Sequence, residues 1–473
     1  MNRGSSFISS TRIPTEEETI AAISTPFGES GIGIVRISGP LSEKIAQRLF
    51  KPKKNHSHFI SHHFHYGEIV DPQTGVSLDE VLLVLMKSPK TYTREDMVEI
   101  QCHGGYLILQ KILEVVLKQG VRMAQPGEFT KRAFLNGRID LTQAEAVIDL
   151  IRAKTIAGLE IAHQQLRGAL HREMTVLKEG LIERLAMIEA HIDFSEEEIE
   201  PIVFEAMEKD LEGMVQKMED WIATYEEGRI FREGISCAII GKTNVGKSSL
   251  LNILLREERA IVTPTPGTTR DVIEEVLNIQ GIPVRLMDTA GMRKPMDSVE
   301  LEGIRRTRER VKDSDFVILI LDGSRSLDKD DMEIFKEVEE KKKVVAINKN
   351  DLSLKISLGE VRGRFKSDPI ISISALRNEG IDDLKVAIYH SLIHRNVRAS
   401  PEHLIVTNIR HQNALVQAKD NLLNAVGGLK GGISLEFIAF EIRSALEALG
   451  EMVGETATEE VLNHIFEQFC IGK

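Results

Sequence analysis

The chain has 473 residues, of which 42% are hydrophobic, and its formal net charge is −12 at pH 7. This length allows two or three packed cores. The acidic balance argues against a protein that binds nucleic acid over a broad basic face, so any contact with RNA must be local or shared with a partner. The three cysteines are widely separated, so the sequence predicts neither a disulfide framework nor a paired zinc knuckle and favours a reducing, cytoplasmic compartment. No stretch has the apolar length of a membrane span.

The first part of the chain divides into a polar leader and a mixed domain. Residues 1–19 contain no secretory hydrophobic region, and we expect them to be a disordered leader. Residues 20–138 alternate short apolar runs with glycine and proline turns and one helical stretch, a pattern typical of an α+β domain. Five histidines between His56 and His65 resemble a metal-binding tract, but no cysteine or carboxylate pattern accompanies them, so a metal site is disfavoured.

Two helical regions flank the centre of the chain. Residues 139–230 contain few prolines, and their apolar residues recur at three- and four-residue spacing. Helical texture returns at 398–473, with expected interruptions at Gly427-Gly428 and at Gly431-Gly432. The simplest architecture therefore inserts residues 231–397 as a separate domain into one helical bundle that is built from both flanks.

The inserted region begins with a glycine-rich phosphate-binding loop. The apolar run 235–240 ends at the octapeptide Gly241-Lys-Thr-Asn-Val-Gly-Lys-Ser248, and a helix-compatible run follows. In this context, backbone N–H groups and the helix N-terminus face a polyphosphate. Lys247 would reach the β- and γ-phosphates, and the Ser248 hydroxyl would coordinate Mg²⁺. A glycine turn without a ligand is the less favoured alternative, because strand, loop and helix occur together.

The tetrapeptide Asn348-Lys-Asn-Asp351, after an apolar run, predicts which base is bound. Asp351 can accept two hydrogen bonds from the N1–H and 2-amino groups of guanine, a donor pair that adenine lacks. Asn348 would brace the loop, and the aliphatic stem of Lys349 would lie against the base. The tetrapeptide alone is a weak signal, but its position after a phosphate-binding loop makes GTP the expected nucleotide.

Further segments complete the pattern. Asp288-Thr-Ala-Gly291 ends a strand-like run, which places the Asp288 carboxylate near the metal and lets the Gly291 N–H sense a γ-phosphate. Thr269, in the preceding switch loop, is the second hydroxyl expected on Mg²⁺. A later strand leads into Ser374-Ala-Leu376, whose backbone would close over the guanine. The order of runs predicts a parallel α/β sheet with its ligands at the C-terminal ends of the strands.

The hydrolytic chemistry is expected to differ from that of better-known small GTPases. The residue after Gly291 is Met292, which cannot orient water as their glutamine does. The Asn244 side-chain carbonyl, with backbone carbonyls of residues 263–268, would hold a monovalent cation beside the phosphates and do the electrostatic work of an arginine finger. A loop-stabilising amide is the alternative role for Asn244. By size, we expect this cation to be K⁺.

The predicted nucleotide site comprises many residues from these segments. The expected K⁺ ligands are Asn244, Thr263, Thr265 and Thr268. The GTP-binding residues are Asn244, Val245, Gly246, Lys247, Ser248, Ser249, Thr263, Pro264, Thr265, Pro266, Gly267, Thr268, Thr269, Asp288, Thr289, Ala290, Gly291, Asn348, Lys349, Asp351, Ser374, Ala375 and Leu376.

Together with the C-terminal Cys470-Ile-Gly-Lys473 and the N-terminal runs 31–39, 103–105 and 122–137, these motifs resemble the MnmE (TrmE) family of tRNA-modification GTPases. The similarity covers nearly the whole chain, and the Cys-Ile-Gly-Lys tail is its most specific part. The resemblance implies an α/β and α+β multidomain fold. A P-loop GTPase domain is inserted into a helical domain and is preceded by an α+β N-terminal folate-binding and dimerisation domain.

The resemblance also implies a chemistry that the GTPase motifs do not reveal. Such proteins are K⁺-activated, Mg²⁺-dependent homodimers that work with the flavoprotein MnmG, which carries FAD, in a heterotetramer. They install an aminomethyl or carboxymethylaminomethyl group at C5 of the wobble uridine of certain tRNAs. The carbon comes from a formyl or methylene tetrahydrofolate.

Position by position, the residues Arg36, Glu99, Arg138 and Lys473 match the family's folate contacts, although some relatives have lysine at position 138. Glu300 matches the position that orients the attacking water, whereas without the family match it would be interpreted as a helix-starting acid. Cys470 is a candidate nucleophile or redox group, but the sequence shows no base placed to activate it.

Two other classes of function stay open at this point. A ribosome-assembly GTPase would share the GTPase motifs, but it should carry a compact basic RNA-binding module after them, which the helical tail does not resemble. A nucleotide-switch scaffold without covalent chemistry is harder to exclude.

Overall fold

The structure is a computed structural model and describes residues 18–26, 28–53, 58–193, 204–258, 275–287, 311–393 and 404–473. Its strands are β1 (Ile20–Ile23), β2 (Ser30–Ser38), β3 (Phe50–Pro52), β4 (Phe64–Val70), β5 (Ser77–Met86), β6 (Met97–Gly104), β7 (Arg122–Met123), β8 (Ile235–Ile240), β9 (Glu275–Ile279), β10 (Ile282–Leu286), β11 (Phe316–Asp322), β12 (Lys343–Asn348) and β13 (Ile370–Ser372).

The helices of the described residues are α1 (Ser42–Leu49), α2 (Tyr106–Leu117), α3 (Glu128–Leu135), α4 (Leu141–Arg152), α5 (Ile156–Leu166), α6 (Ala169–Asp193), α7 (Phe204–Ile222), α8 (Tyr225–Glu233), α9 (Lys247–Glu257), α10 (Lys329–Glu337), α11 (Leu358–Arg364), α12 (Ile381–Leu392), α13 (Ile409–Gly431), α14 (Leu435–Val453) and α15 (Glu459–Phe466). No described helix combines the length and the apolar character needed to cross a membrane. Two compact units result: one holds the described residues up to Ile148 and from Gly450 onward, and the other holds those from Asp149 to Leu449.

The first unit is built on a sheet with the strand order β3-β4-β5-β6-β2-β1-β7. Side chains alternate between its two faces: Val35 and Ile37 of β2 enter a core shared with Leu109 of α2, whereas Arg36 between them lies on the opposite face. Gly33 packs closely against α2, because a Cβ at that position would lie 2.7 Å from the Leu109 side chain, which would have to shift. Strands with a helical layer confirm the predicted α+β domain.

The folded part of this unit begins earlier than predicted. Thr19 is only 3% exposed, and its hydroxyl accepts a hydrogen bond from the Leu41 N–H at 2.9 Å. The leader predicted to end at residue 19 is therefore too long, and residues 1–17 lie outside the described residues.

The C-terminal helix belongs to the same unit as the N-terminal sheet. Leu462 and Phe466 of α15 form one core with Leu141 and Ile148 of α4, and the ring of Phe466 lies 6.5 Å from that of Phe134. Because this core joins segments on either side of the inserted region, both flanks of the chain fold together.

The second unit contains a helical bundle that also draws on both flanks. The Gln165 amide on α5 donates to the Ile405 carbonyl and the Thr407 hydroxyl, each at 3.1 Å, and Glu189 on α6 pairs with Arg443 on α14. The intervening chain forms β8 to β13 with their helices. This arrangement confirms the predicted insertion of an α/β domain into a helical domain.

The bundle confirms the predicted interruption at Gly431-Gly432 and corrects the one predicted at Gly427-Gly428. Helix α13 runs through Gly427 and Gly428 and ends only at Gly431, where Gly432 adopts φ +64°. The glycine pair does not interrupt the helix, because Gly428 is buried against the next helix: a Cβ at this position would lie 3.3 Å from the Ile438 side chain and 3.4 Å from that of Phe437. Close packing replaces the expected break.

The sheet of the second unit has the order β13-β12-β11-β8-β10-β9, and its strands are parallel except β9. Strands β11 and β12 are buried along their whole length, as is usual for central parallel strands. The antiparallel edge strand β9 is not among the predicted strands. Gln280 and Gly281, with φ of 50° and 95°, join it to β10, and this turn between two β-branched runs is a hairpin signal.

Candidate functional site

The phosphate-binding loop connects β8 to α9 as predicted, and two of its glycines are sterically required. A Cβ on Gly241 would collide with the Ile320 carbonyl, and one on Gly246 would collide with the Asn348 side-chain amide. Gly246 also adopts φ 102° and caps α9. The loop is therefore packed closely against the ends of the neighbouring strands.

The lysine of this loop is held by backbone carbonyls. The Lys247 ammonium donates to the carbonyl of Gly241 at 2.8 Å and to that of Lys242. The Lys242 side chain in turn forms ion pairs with Asp328 at 2.6 Å and Asp331 at 2.9 Å, at the start of α10. The cation expected to meet a polyphosphate thus lies at the mouth of the loop, beside the N-terminus of α9.

Asn348, at the end of β12, links two loops through its side chain. Its amide N–H donates to the Val245 carbonyl at 2.8 Å, and its carbonyl oxygen accepts from the Ala375 N–H at 2.9 Å. Asn348 is 3% exposed, so both bonds are made away from water. One buried amide therefore fixes the phosphate-binding loop to the segment that follows β13.

Asp351 lies beside that same segment. One of its carboxylate oxygens accepts a hydrogen bond from the Ser374 hydroxyl at 2.6 Å, and this bond holds the pKa of Asp351 below its ordinary value. Lys349 adopts a left-handed φ of 69° and its ammonium contacts the Asp322 carboxylate at 2.5 Å. Leu376 is 86% exposed. An ionised carboxylate, a lysine stem and an open loop together form a surface that complements the donors of a guanine edge.

These groups lie at one edge of the sheet. Strands β8, β11 and β12 are parallel neighbours, so their carboxyl ends lie at the same edge. The phosphate-binding loop follows Ile240 of β8, and Asp322 and Asn348 are the last residues of β11 and β12. Ligands of open α/β sheets bind at this edge. The sheet thus brings together parts of the predicted site that are about 100 residues apart in the chain, as the 103-residue separation of Asn348 and Val245 shows.

Several predicted residues lie outside the described residues, and their roles stay predictions. They are Thr263, Pro264, Thr265, Pro266, Gly267, Thr268, Thr269, Asp288, Thr289, Ala290, Gly291, Met292 and Glu300.

The four residues predicted to contact folate lie close together in the first unit. Arg36 of β2 pairs with Glu99 directly across on β6, with an Nη2 to Oε1 distance of 2.8 Å. The Arg36 and Arg138 guanidinium groups lie 5.8 Å and 4.8 Å from the centre of the Tyr92 ring. We name Arg36, Glu99, Tyr92, Arg138 and Lys473 the arginine–tyrosine cluster.

The C-terminal tail is fixed beside this cluster. The Gly472 carbonyl accepts hydrogen bonds from the Ser24 hydroxyl at 3.1 Å and from Arg36 at 3.2 Å, and Ile471 forms a β-bridge with Pro126. Burial, together with the charge of Arg36, lowers the pKa of Lys473. The tail therefore adds a partly desolvated cation to a surface that already holds two guanidinium groups and one carboxylate.

The remaining cysteine and histidine candidates differ in environment. Cys470 is exposed, whereas Cys102 and Cys237 are buried. His65 packs its ring edge-on against Phe59, and His62 contacts the Lys90 carbonyl, so these two imidazoles have local partners. The described residues contain no group of three or more side chains suited to hold a metal.

Sequence reasoning missed two residues of these sites. Tyr92 lies in a polar loop, where one aromatic residue carries no periodic signal. Asp322 ends an apolar strand, and an acid at the carboxyl edge of a parallel strand is a weak signal that would have marked it.

A phosphate-binding loop and an Asn-Lys-x-Asp turn at one edge of a mainly parallel sheet define the class: the protein is a P-loop GTPase. The family model described as the MnmE helical domain matches residues 141–470, and that of the GTP-binding protein TrmE N-terminus matches residues 19–138.

Relatives extend this match. The tRNA modification GTPase MnmE of Geobacter sulfurreducens is 48% identical over 457 residues, covering 97% of this chain and 99% of the relative. That of Thermoanaerobacter pseudethanolicus is 48% identical over 458 residues, covering 96% and 99%. A solved structure of Aquifex aeolicus Era bound to GDP·AlF4⁻ covers 40% of this chain and 67% of its own, at 26% identity and a TM-score of 0.26. The chain belongs to the MnmE family of tRNA modification GTPases.

Proposed function

We propose that the protein is a K⁺-activated GTPase that, with MnmG, installs an aminomethyl or carboxymethylaminomethyl group at C5 of the wobble uridine of certain tRNAs. A tetrahydrofolate derivative supplies the carbon, and the work takes place in the cytosol as a homodimer. One observation carries the proposal: Lys247, Asn348 and Asp351 meet at one sheet edge in a chain 48% identical to a tRNA modification GTPase.

At the nucleotide, each described residue has a distinct task. Lys247 and the N–H groups at the start of α9 neutralise the phosphates, Asp351 selects guanine, and Asn348 holds the two loops in register. Ser248, as the second residue of α9, and Thr269 would hold Mg²⁺, and Asn244, Thr263, Thr265 and Thr268 would hold K⁺. When bound, the two cations supply positive charge beside the phosphates. Asn244 has φ 62°, a conformation that a loop built around a ligand can stabilise.

Hydrolysis provides a direct test of the catalytic assignment. Glu300→Ala should lower GTP turnover by about 10²-fold while GTP affinity and K⁺-driven dimerisation are kept, because positioning water matters more than base strength in this reaction. Glu302→Ala is the matched control, since it removes an acid from the same run of sequence. Equal turnover in the two variants would return Glu300 to a helix-starting role.

The cation is tested separately. Replacing K⁺ with Na⁺ should abolish most of the activation, because an oxygen cage selects ions by size and field strength. GTP turnover that is the same in both salts, with GTP still bound, would refute the K⁺ site.

The arginine–tyrosine cluster supports the folate assignment. Folate carries a glutamate tail, which needs cations, and a pterin with N–H donors, which needs a carboxylate. Arg36, Arg138 and Lys473 supply the cations, Glu99 supplies the carboxylate, and the Tyr92 ring supplies a flat apolar face. Cys470 belongs to the same C-terminal tail as Lys473, and it remains the candidate nucleophile or redox group.

Cells lacking the protein test the whole proposal. Mass analysis of their tRNA should show wobble uridines without the C5 substituent, and the unsubstituted protein should restore it. Asp351→Asn should fail to restore it, whereas Asn350→Ala, which changes an exposed side chain of the same turn, should succeed. Normal uridines in the deletion strain would sink the proposal, and defective ribosomal subunits alongside them would favour an assembly role.

A further inference from the structure

The buried carboxylate of Asp322 is not explained by the motifs of the nucleotide site. Asp322 is the last residue of β11 and lies directly across from Asn348 of β12. Its side chain is only 5% exposed, although an ionised carboxylate is costly to bury. A buried carboxylate at the ligand edge of the sheet must be stabilised by hydrogen-bond donors or cations, and its position suggests a role in the site.

Both oxygens of this carboxylate have partners. One accepts from the Ser324 N–H at 3.0 Å and from the Ser324 hydroxyl at 2.6 Å, which closes the turn after β11. The other faces the Lys349 ammonium at 2.5 Å and the Arg325 Nε at 3.1 Å. Burial raises the pKa of Asp322, but the hydrogen bonds from Lys349 and Ser324 outweigh it and leave the pKa below its ordinary value. The group is therefore ionised when it holds Lys349.

The two cations on this carboxylate are not equivalent. Arg325 is 57% exposed and belongs to the same turn as Asp322, whereas Lys349 is 27% exposed and crosses over from the next strand. Lys349 also has a left-handed φ of 69°, a backbone conformation that costs free energy in a non-glycine residue. The ion pair with Asp322 offsets that cost and fixes the direction of the lysine stem, two residues before Asp351.

We propose that Asp322 is a positioning residue of the guanine site, which acts by holding the Lys349 ammonium so that the lysine stem is fixed beside the Asp351 carboxylate. This inference rests on the proposed binding of GTP through Asp351. Asp322 itself does not touch the base. Its contribution passes through Lys349, so the effect of changing Asp322 must disappear once Lys349 can no longer form the ion pair.

A double-mutant cycle measures that dependence. Asp322→Asn keeps an oxygen for Ser324 but loses the charge that holds Lys349, and it should weaken GTP and GDP binding about tenfold by calorimetry. In a Lys349→Met background, the same change should alter GTP affinity less than about twofold. Arg325→Met is the matched control, because it removes the exposed cation from the same carboxylate oxygen and should leave GTP affinity within about twofold.

Other results would overturn the inference. Full GTP affinity in Asp322→Asn, or an equal loss with and without Lys349, would assign Asp322 to the Ser324 turn alone. Thermal unfolding checks that each variant is folded, and Asp322→Ser repeats the cycle if Asp322→Asn is not. If the protein is unfolded with both substitutions, Asp322 is required for folding, and the inference that it positions Lys349 for guanine binding is wrong. An unsubstituted protein that binds no GTP would refute the proposed function itself, and the inference with it.

Discussion

Replacing Asn348 with alanine tests whether one buried amide couples the phosphate loop to the guanine loop. The substitution removes the donor to the Val245 carbonyl and the acceptor of the Ala375 N–H, both in a buried setting. It leaves the β12 backbone unchanged, so any effect reports on the two lost hydrogen bonds.

The expected magnitude follows from those two bonds. A buried polar group left without a partner costs about 1–3 kcal/mol, and entry of water into the small space left by the amide recovers part of that cost. We expect a loss of about 2–4 kcal/mol in the free energy of unfolding. If the loops also lose their mutual register, GTP affinity should fall more than about tenfold, which corresponds to about 1.4 kcal/mol.

Urea unfolding and calorimetric titration with GTP measure the two quantities. Asn348→Asp separates the two bonds, because an aspartate keeps the acceptor for Ala375 but turns an oxygen toward the Val245 carbonyl. It should therefore be impaired as well. Asn350→Ala, at an exposed position in the same turn, is the control and should match the unsubstituted protein. Unchanged stability and unchanged GTP affinity in Asn348→Ala would refute the coupling.

Three further results are expected. Asp351→Asn should reduce the preference for GTP over ATP in calorimetry. Because the Ser374 hydroxyl lowers the pKa of Asp351, the carboxylate stays ionised as the pH falls through the ordinary range of an aspartate, and the preference of the unsubstituted protein should persist there; a preference lost nearer neutral pH would contradict this. Glu99→Gln keeps the size of the side chain but removes its charge, and it should weaken tetrahydrofolate binding about tenfold without changing GTP affinity. An equal loss of tetrahydrofolate and GTP affinity would argue against a separate folate site. Burial raises the pKa of Cys102 to about 11 and that of Cys237 to about 12, whereas Cys470 is exposed. A thiol reagent at about pH 8 should therefore modify Cys470 alone in the folded protein, and modification that persists in Cys470→Ser would contradict this.

The α/β part of the fold can be predicted from sequence because its signals are local. The parallel strands are continuous apolar runs, and each ends at a polar or glycine-rich turn, so β8, β11 and β12 are predicted to within a residue or two. The predicted break at Gly427-Gly428 within helix α13 is wrong for the opposite reason. Its Gly428 is tolerated by packing against α14, and tertiary contacts outweigh a local glycine penalty of about 1 kcal/mol.

The nucleotide site is predictable to the extent that its residues are contiguous. Lys247, Asn348 and Asp351 belong to short motifs whose spacing predicts the roles of these residues. The contacts between motifs cannot be predicted from the sequence of any single motif. That the Asn348 amide faces Val245, and that the Lys349 ammonium turns back to Asp322, follows from the register of neighbouring strands, which only the assembled sheet defines.

The arginine–tyrosine cluster shows where sequence reasoning without a family stops. Arg36 and the Gly472 carbonyl are 436 residues apart in the chain, yet they lie 3.2 Å from each other. Alternation along β2 predicts only that Arg36 faces away from the core, which any solvated arginine would also do. What distinguishes a binding site from a solvated face is convergence: a paired Glu99, two guanidinium groups over one tyrosine ring, and a tail that brings Lys473 to the same place. Because that convergence depends on α15 packing against α3 and α4, the identity of this site is set by the core beneath it as much as by its own residues.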